Sequence, residues 1–171
     1  MATTNLDVVG FEDSVVNYPV TGETIDQIAK SMHEHTIAPD GFNFYTLHHH
    51  SMFRNARGIL FVYQIVVVKP EWNRKGGGAE VEREWDRYVN ATIGHENGHV
   101  KLFSTAYRRI RELGQVECIS DILAFAKRCS DRYDSETDHG RLEGARIGST
   151  INPTDFSELI NSLVREIENA T

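Results

Sequence analysis

The sequence predicts an α+β domain in which a small antiparallel or mixed sheet packs against one long helix, with further helices C-terminal to it. Three observations predict it. Most of the first 72 residues fall in runs rich in β-branched and aromatic side chains, broken by one amphipathic stretch. Residues 79–113 hold no proline and only two glycines, Gly94 and Gly98, with a stripe of residues recurring every three or four positions. Two more helical patterns follow. A chain of 171 residues fits a single domain over 1–171, since domains commonly run to ~100–150 residues.

The elements read as follows. Residues 5–20, "NLDVVGFEDSVVNYPV", form one or two short strands. "TGETIDQIAKSMHEH" is a helix with Thr21 or Thr24 as its cap and Ile25, Ile28, Ala29 and Met32 on one face. "APDG" is a turn. "FNFYTLHHHSMF" and "GILFVYQIVVVKPEW" are strands, an antiparallel pair or neighbours, and Pro70 marks the end of the second. "NRKGGG" is a loop. The long helix then carries Val81, Trp85, Tyr88, Thr92, His95, His99, Leu102, Ala106 and Ile110 along one face, and Gly114 stops it. "VECISDILAFAKRCSDRY" is a second helix and "DSETDHGRLEGARIGST" a polar segment. "NPTDFSELINSLVREIENA" is the last helix, with Asn152 or Thr154 as cap and Pro153 near its start.

Composition narrows the function. Hydrophobic residues make up 40% of the chain, enough for a core, and the net charge of -7 lacks the basic footprint of a general nucleic-acid binder. The longest apolar run, "ILFVYQIVVV", falls short of the ~20 residues a membrane-crossing helix needs. The N-terminus has neither the basic start nor the apolar stretch of a signal peptide, so an intact chain is expected in the cytoplasm. Cys118 and Cys129 would stand about 16 Å apart on one straight helix, beyond disulfide reach. Both are expected as free core cysteines, and the CxxC spacing of a thiolate zinc site is absent.

The chemistry concentrates in "HENGH", residues 95–99. An i,i+4 spacing puts His95 and His99 on one side of the helix, one turn apart, so both imidazoles can reach one ion. Glu96 projects about 100° round from His95 and can sit beside the ion as a general base. Burying two histidines on an inward stripe is costly unless they are paired or liganded. A zinc ion, Zn2+, is therefore expected, with its third ligand from elsewhere. His139, in "TDHG", offers a third imidazole with acidic neighbours to orient it. Glu117, in "VECISD", lies on the second helix like the glutamate ligand of thermolysin-like enzymes. Of the remaining histidines, His48 and His50 would share one face of a strand, packed or exposed, or as a second metal pair. His33 and His35 sit near a helix end and receive no role.

Three segments carry a family resemblance. "YPVTGETIDQIAKSM" at 18–32, "WDRYVNATIGHENGHVKLF" at 85–103 and "YDSETDHGRLEGA" at 133–145 resemble bacterial proteins labelled as predicted secreted zinc-dependent proteases, which are defined by a domain of otherwise unknown function. The resemblance implies a zincin-like metallopeptidase domain with His95, His99 and His139 as metal ligands and Glu96 as the base. It also draws in Tyr133 as a catalytic residue that stabilises an oxyanion, and Asp134 or Thr137 as a brace for His139. The resemblance also implies a secreted or periplasmic protein if this sequence is a mature form, since it shows no signal.

The expected function is thus zinc-dependent hydrolysis of a peptide or protein substrate through a glutamate-activated water. Alternatives are a non-proteolytic zinc domain, a zinc hydrolase of another amide, and an acidic partner-binding module without metal.

Overall fold

The structure, a computed structural model, describes residues 6–11, 13–35 and 44–170. The turn expected at "APDG" lies outside them. β1 (Leu6–Gly10) and β2 (Ser14–Val20) both run parallel to β4 (Gly58–Trp72), β1 along residues 59–63 and β2 along 66–72. β3 (Tyr45–Asn55) pairs antiparallel with β4 from Tyr45 opposite Val68 to Asn55 opposite Gly58. The sheet is mixed, β4 is its centre, and a two-residue turn at Ala56 and Arg57 makes the hairpin. The fold is the α+β arrangement the sequence predicts.

β4 passes through Pro70 rather than ending there. Pairing with β3 stops at Val68, so beyond it the missing proline N–H costs no ladder bond on that side. Burial along β4 also changes parity: Ile59, Phe61 and Ile65 are buried, then Val68 and Trp72. Alternate residues point to opposite faces, so the two ends of β4 serve two clusters. Phe61 and Ile65 join Leu102, Phe103 and Tyr107 of α2 (Ala79–Leu113) to α3 (Ile119–Thr137) and α4 (Ser157–Glu168). Val68 and Trp72 join β2 to Ile28 and Met32 of α1 (Ile25–Glu34) and to Trp85 and Tyr88 of α2.

At about 1.5 Å per residue, α2 is roughly 50 Å long and reaches both clusters. Between its two apolar stretches lie Thr92, His95, Glu96 and His99, all buried. The polar turn of the helix is thus held from both ends.

Helix boundaries follow local chemistry. Thr24 caps α1, accepting from the Gln27 N–H at 3.3 Å. Gly114 adopts φ 61° and ends α2. α3 runs one turn beyond Tyr133, the last residue expected in it, to Thr137; neither Gly nor Pro interrupts that turn. α4 starts at Ser157, later than a cap at Asn152 or Thr154 requires. The Thr154 N–H is used by the Leu142 carbonyl at 2.8 Å, and Asp155 accepts from the Ser157 N–H at 2.8 Å. Both cysteines are free, Cys129 buried and Cys118 half-buried. No helix among the described residues is long and apolar enough to cross a membrane.

Gly98 has a packing role. A Cβ there would lie 2.5 Å from the Tyr133 ring and 2.7 Å from Ile160 Cδ1, so its absence lets α3 and α4 close on α2. Gly98→Ala is expected to destabilise the fold by ~1–3 kcal/mol through overpacking, read as a lower denaturation midpoint. An unchanged midpoint would show that the ring moves aside freely. A Cβ on Gly94 meets nothing within 4 Å, and packing does not explain that glycine.

His48 and His50 do share a strand face, their rings stacked at 6.3 Å. His48 lies on Phe103 at 3.6 Å, and its Nδ1 is 3.3 Å from the Tyr107 hydroxyl. Burial, with His50, His49 and Lys127 acting in the same direction, holds its pKa down to about 4. It is a packing histidine that ties β3 to α2.

Candidate metal centre

His95 and His99 lie one turn apart on α2, 4% and 8% exposed. Their Nε2 atoms approach to 3.2 Å. Asp134 Oδ1 on α3 stands 3.2 Å from the first and 3.1 Å from the second. Three ligand atoms therefore form a nearly equilateral triangle. A tetrahedral ion with bonds of ~2.0–2.1 Å separates its ligand atoms by about 3.3 Å. The spacing and the N, N, O donor set fit such an ion. Among the described residues, His95, His99 and Asp134 are the group able to hold a metal.

The outer nitrogens are held as well. His95 Nδ1 lies 2.7 Å from Glu143 Oε2, and His99 Nδ1 lies 2.8 Å from Ser130 Oγ. A carboxylate only accepts, so His95 Nδ1 carries a proton and its Nε2 is turned to the triangle. Burial pulls the His95 imidazole down, but its bonds to Asp134 and Glu143 outweigh that and hold its pKa at about 9. Burial likewise pushes Asp134 up, and its bonds to His95 and His99 overcome this, keeping it well below the usual carboxylate range.

Tyr133 forms the wall behind the triangle. It is buried, stacked on His95 at 4.9 Å and 21°, with its ring edge-on to His99. Its hydroxyl donates to Glu143 at 2.8 Å, so Glu143 links Tyr133 and His95. The oxyanion role expected of Tyr133 does not match this placement: its hydroxyl is committed and the residue does not line the cavity. Gly140 also packs against the imidazole, where a Cβ would meet His95 Cγ at 2.8 Å.

A cavity of about 570 Å³ opens over the triangle, with Met32 of α1, Thr46 of β3 and Arg146 among its walls. Glu96 lines it beside His95 and accepts from Thr46 Oγ1 at 2.7 Å. The wall at 144–148 is pinned to α2. Arg87 donates to the Gly144 and Arg146 carbonyls, both at 2.7 Å, and is itself held by Glu84.

The structure brings together His95, Glu96 and His99 as expected, but Asp134 completes the triangle where His139 was expected. The reason is the extra turn of α3. Ser130, Tyr133, Asp134 and Thr137 recur at spacings of three and four, so one helix face meets α2. His139 comes after the helix end, where Asp138, His139 and Gly140 all take positive φ. It lines the cavity with its side chain 58% exposed, its Nδ1 3.9 Å from Asp134 Oδ1. Thr137 donates to the Tyr133 carbonyl at 2.8 Å and accepts from the Gly140 N–H, bracing the turn rather than the imidazole. Glu117, the other candidate, is exposed in the short 3-10 turn before α3. The 13 residues from there to Ser130 span roughly 20 Å of helix, so it does not reach the centre.

Thr46, Ser130 and Glu143 escaped the sequence reading. Ser130 and Asp134 carried a signal, their i,i+4 spacing with no helix breaker between them. Thr46 and Glu143 meet α2 only through tertiary contacts 50 and 48 residues long, for which the sequence carries no local sign.

Residues 15–140 match the model of a family described as a bacterial protein of unknown function, DUF922. The match covers most of the chain and includes His95, Glu96, His99, Asp134 and His139; Glu143 lies beyond it. No curated protein and no solved structure matches the chain.

Proposed function

We propose that this chain, which belongs to the bacterial DUF922 family, is a metal-dependent hydrolase of peptide bonds with zinc as its ion. The observation that carries the reading is the His95, His99 and Asp134 triangle, with Glu96 beside it on the floor of an open cavity. Three protein ligands with an accessible side are the pattern of catalytic rather than structural zinc. Zinc accepts imidazole nitrogen and carboxylate oxygen at bond lengths that this spacing allows.

When bound, the ion supplies Lewis acidity, polarising a carbonyl and lowering the pKa of water. The chain's own residues do the rest. Glu143 and Ser130 fix the two imidazoles with Nε2 turned inward. Glu96 takes a proton from the attacking water and returns it to the leaving amine. Tyr133 and Gly140 press on the His95 ring and keep it in place. Tyr45 and Thr46 bring the start of β3 to the cavity, where an extended peptide can lie alongside as an added strand. The His139 imidazole sits at the cavity wall as a polar contact for substrate.

The test is cleavage of a broad panel of peptides and unfolded proteins by zinc-loaded protein, read by mass spectrometry. Cleavage that chelation stops and zinc restores is expected. Zinc-loaded protein that cuts nothing on the panel would remove the peptidase reading and leave a non-proteolytic metal domain.

A further inference from the structure

We infer that Thr46 is the positioning residue for Glu96, anchoring one carboxylate oxygen so that the other faces substrate; this rests on the hydrolytic reading above. α2 fixes the Glu96 backbone, but the side chain retains three torsions. A base acts only when its oxygen is held within hydrogen-bond reach of the proton it takes. The one side-chain donor to that carboxylate among the described residues is Thr46, whose Oγ1 lies 2.7 Å from Glu96 Oε2.

The other oxygen is left open. No fully buried side-chain oxygen or nitrogen among the described residues lacks a partner. Among the described residues Oε1 has no donor, so it is not sealed by them, and Glu96 lines the cavity. The carboxylate is therefore divided between one oxygen tied to β3 and one presented to the cavity.

Thr46 is itself held in place. It stands opposite Val67 of β4, on the same strand face as His48 two residues on. His48 stacks on Phe103 and contacts Tyr107, both on α2, so β3 is already docked one and two turns beyond His99. A β-branched residue suits the strand and has restricted χ1 freedom, which aims its hydroxyl. Sequence gives no hint of the pairing, because 50 residues separate donor and acceptor.

Thr46→Val preserves shape and removes the donor. With zinc content and melting temperature equal to wild type, kcat is expected to fall about tenfold or more while KM stays within about twofold. Thr46→Ser should restore most of kcat, and Thr46→Ala should repeat the loss if the valine variant folds poorly. In a Glu96→Gln background, Thr46→Val should add no further loss, because the two side chains act as one unit. Wild-type kcat in Thr46→Val and Thr46→Ala, or a loss that tracks zinc content or melting temperature, or no rescue by serine, would overturn the inference and leave the hydrolytic reading standing. Wild-type protein inactive across the panel would overturn both.

Discussion

Glu96→Gln is expected to keep its bound ion and to lose hydrolysis by roughly 10²–10⁴-fold, the range a general base contributes. The substitution is nearly isosteric, and its amide oxygen can still accept from Thr46 Oγ1 where Oε2 now does. Glu96 is not a member of the ligand triangle, so metal content should not change. What would disappear is the carboxylate proposed to take the proton. Zinc content and kcat measured on one preparation separate the outcomes. Retained activity would show that another group is the base. Loss of the ion would show that Glu96 ligates it.

Stripping the ion should lower the melting temperature by roughly 8–16 °C, and reloading should restore it. A ligand at a thousand times its dissociation constant stabilises the native state by about 4 kcal/mol, and each kcal/mol moves the midpoint by about 2–4 °C in a chain of this size. The gap should widen from pH 6 to pH 8 through one proton, the His95 proton, which links ion binding to the stability of the stripped protein. The ion must displace the proton on His95, whose pKa is held at about 9, so rising pH favours binding. In the stripped protein, the raised His95 pKa contributes stability that is complete below about 6.5 and is lost as pH rises towards 9. The depressed Asp134 pKa contributes stability above the usual carboxylate range, so it is constant across this window. A melting temperature indifferent to chelation would remove the ion from the account of stability.

Much of the fold was legible because local rules decide it. The run from Ala79 to Leu113 has helical periodicity and a glycine stop, and the two long strands are separated by a short polar turn. The His95 and His99 pair was legible for the same reason, since one turn of helix fixes their relation. The third ligand was not. Ending α3 at Tyr133 leaves Asp134 in a loop, where it reads as a brace for His139. One further turn puts Asp134 on the face that already carries Ser130 and Tyr133, and its carboxylate then reaches the Nε2 atoms of both imidazoles. Pro70 and the late start of α4 depended on which neighbours stood beside them, which no local pattern records.

His95, His99 and Asp134 are expected to hold the ion together. The direct measurement is metal content per chain after zinc loading and gel filtration, for wild type, Asp134→Ala and His139→Ala. About one equivalent is expected in wild type and in His139→Ala, and almost none in Asp134→Ala, where one of three ligands is removed. A wild type that retains no zinc, or a His139→Ala protein that is empty while Asp134→Ala stays loaded, would contradict that ligand set.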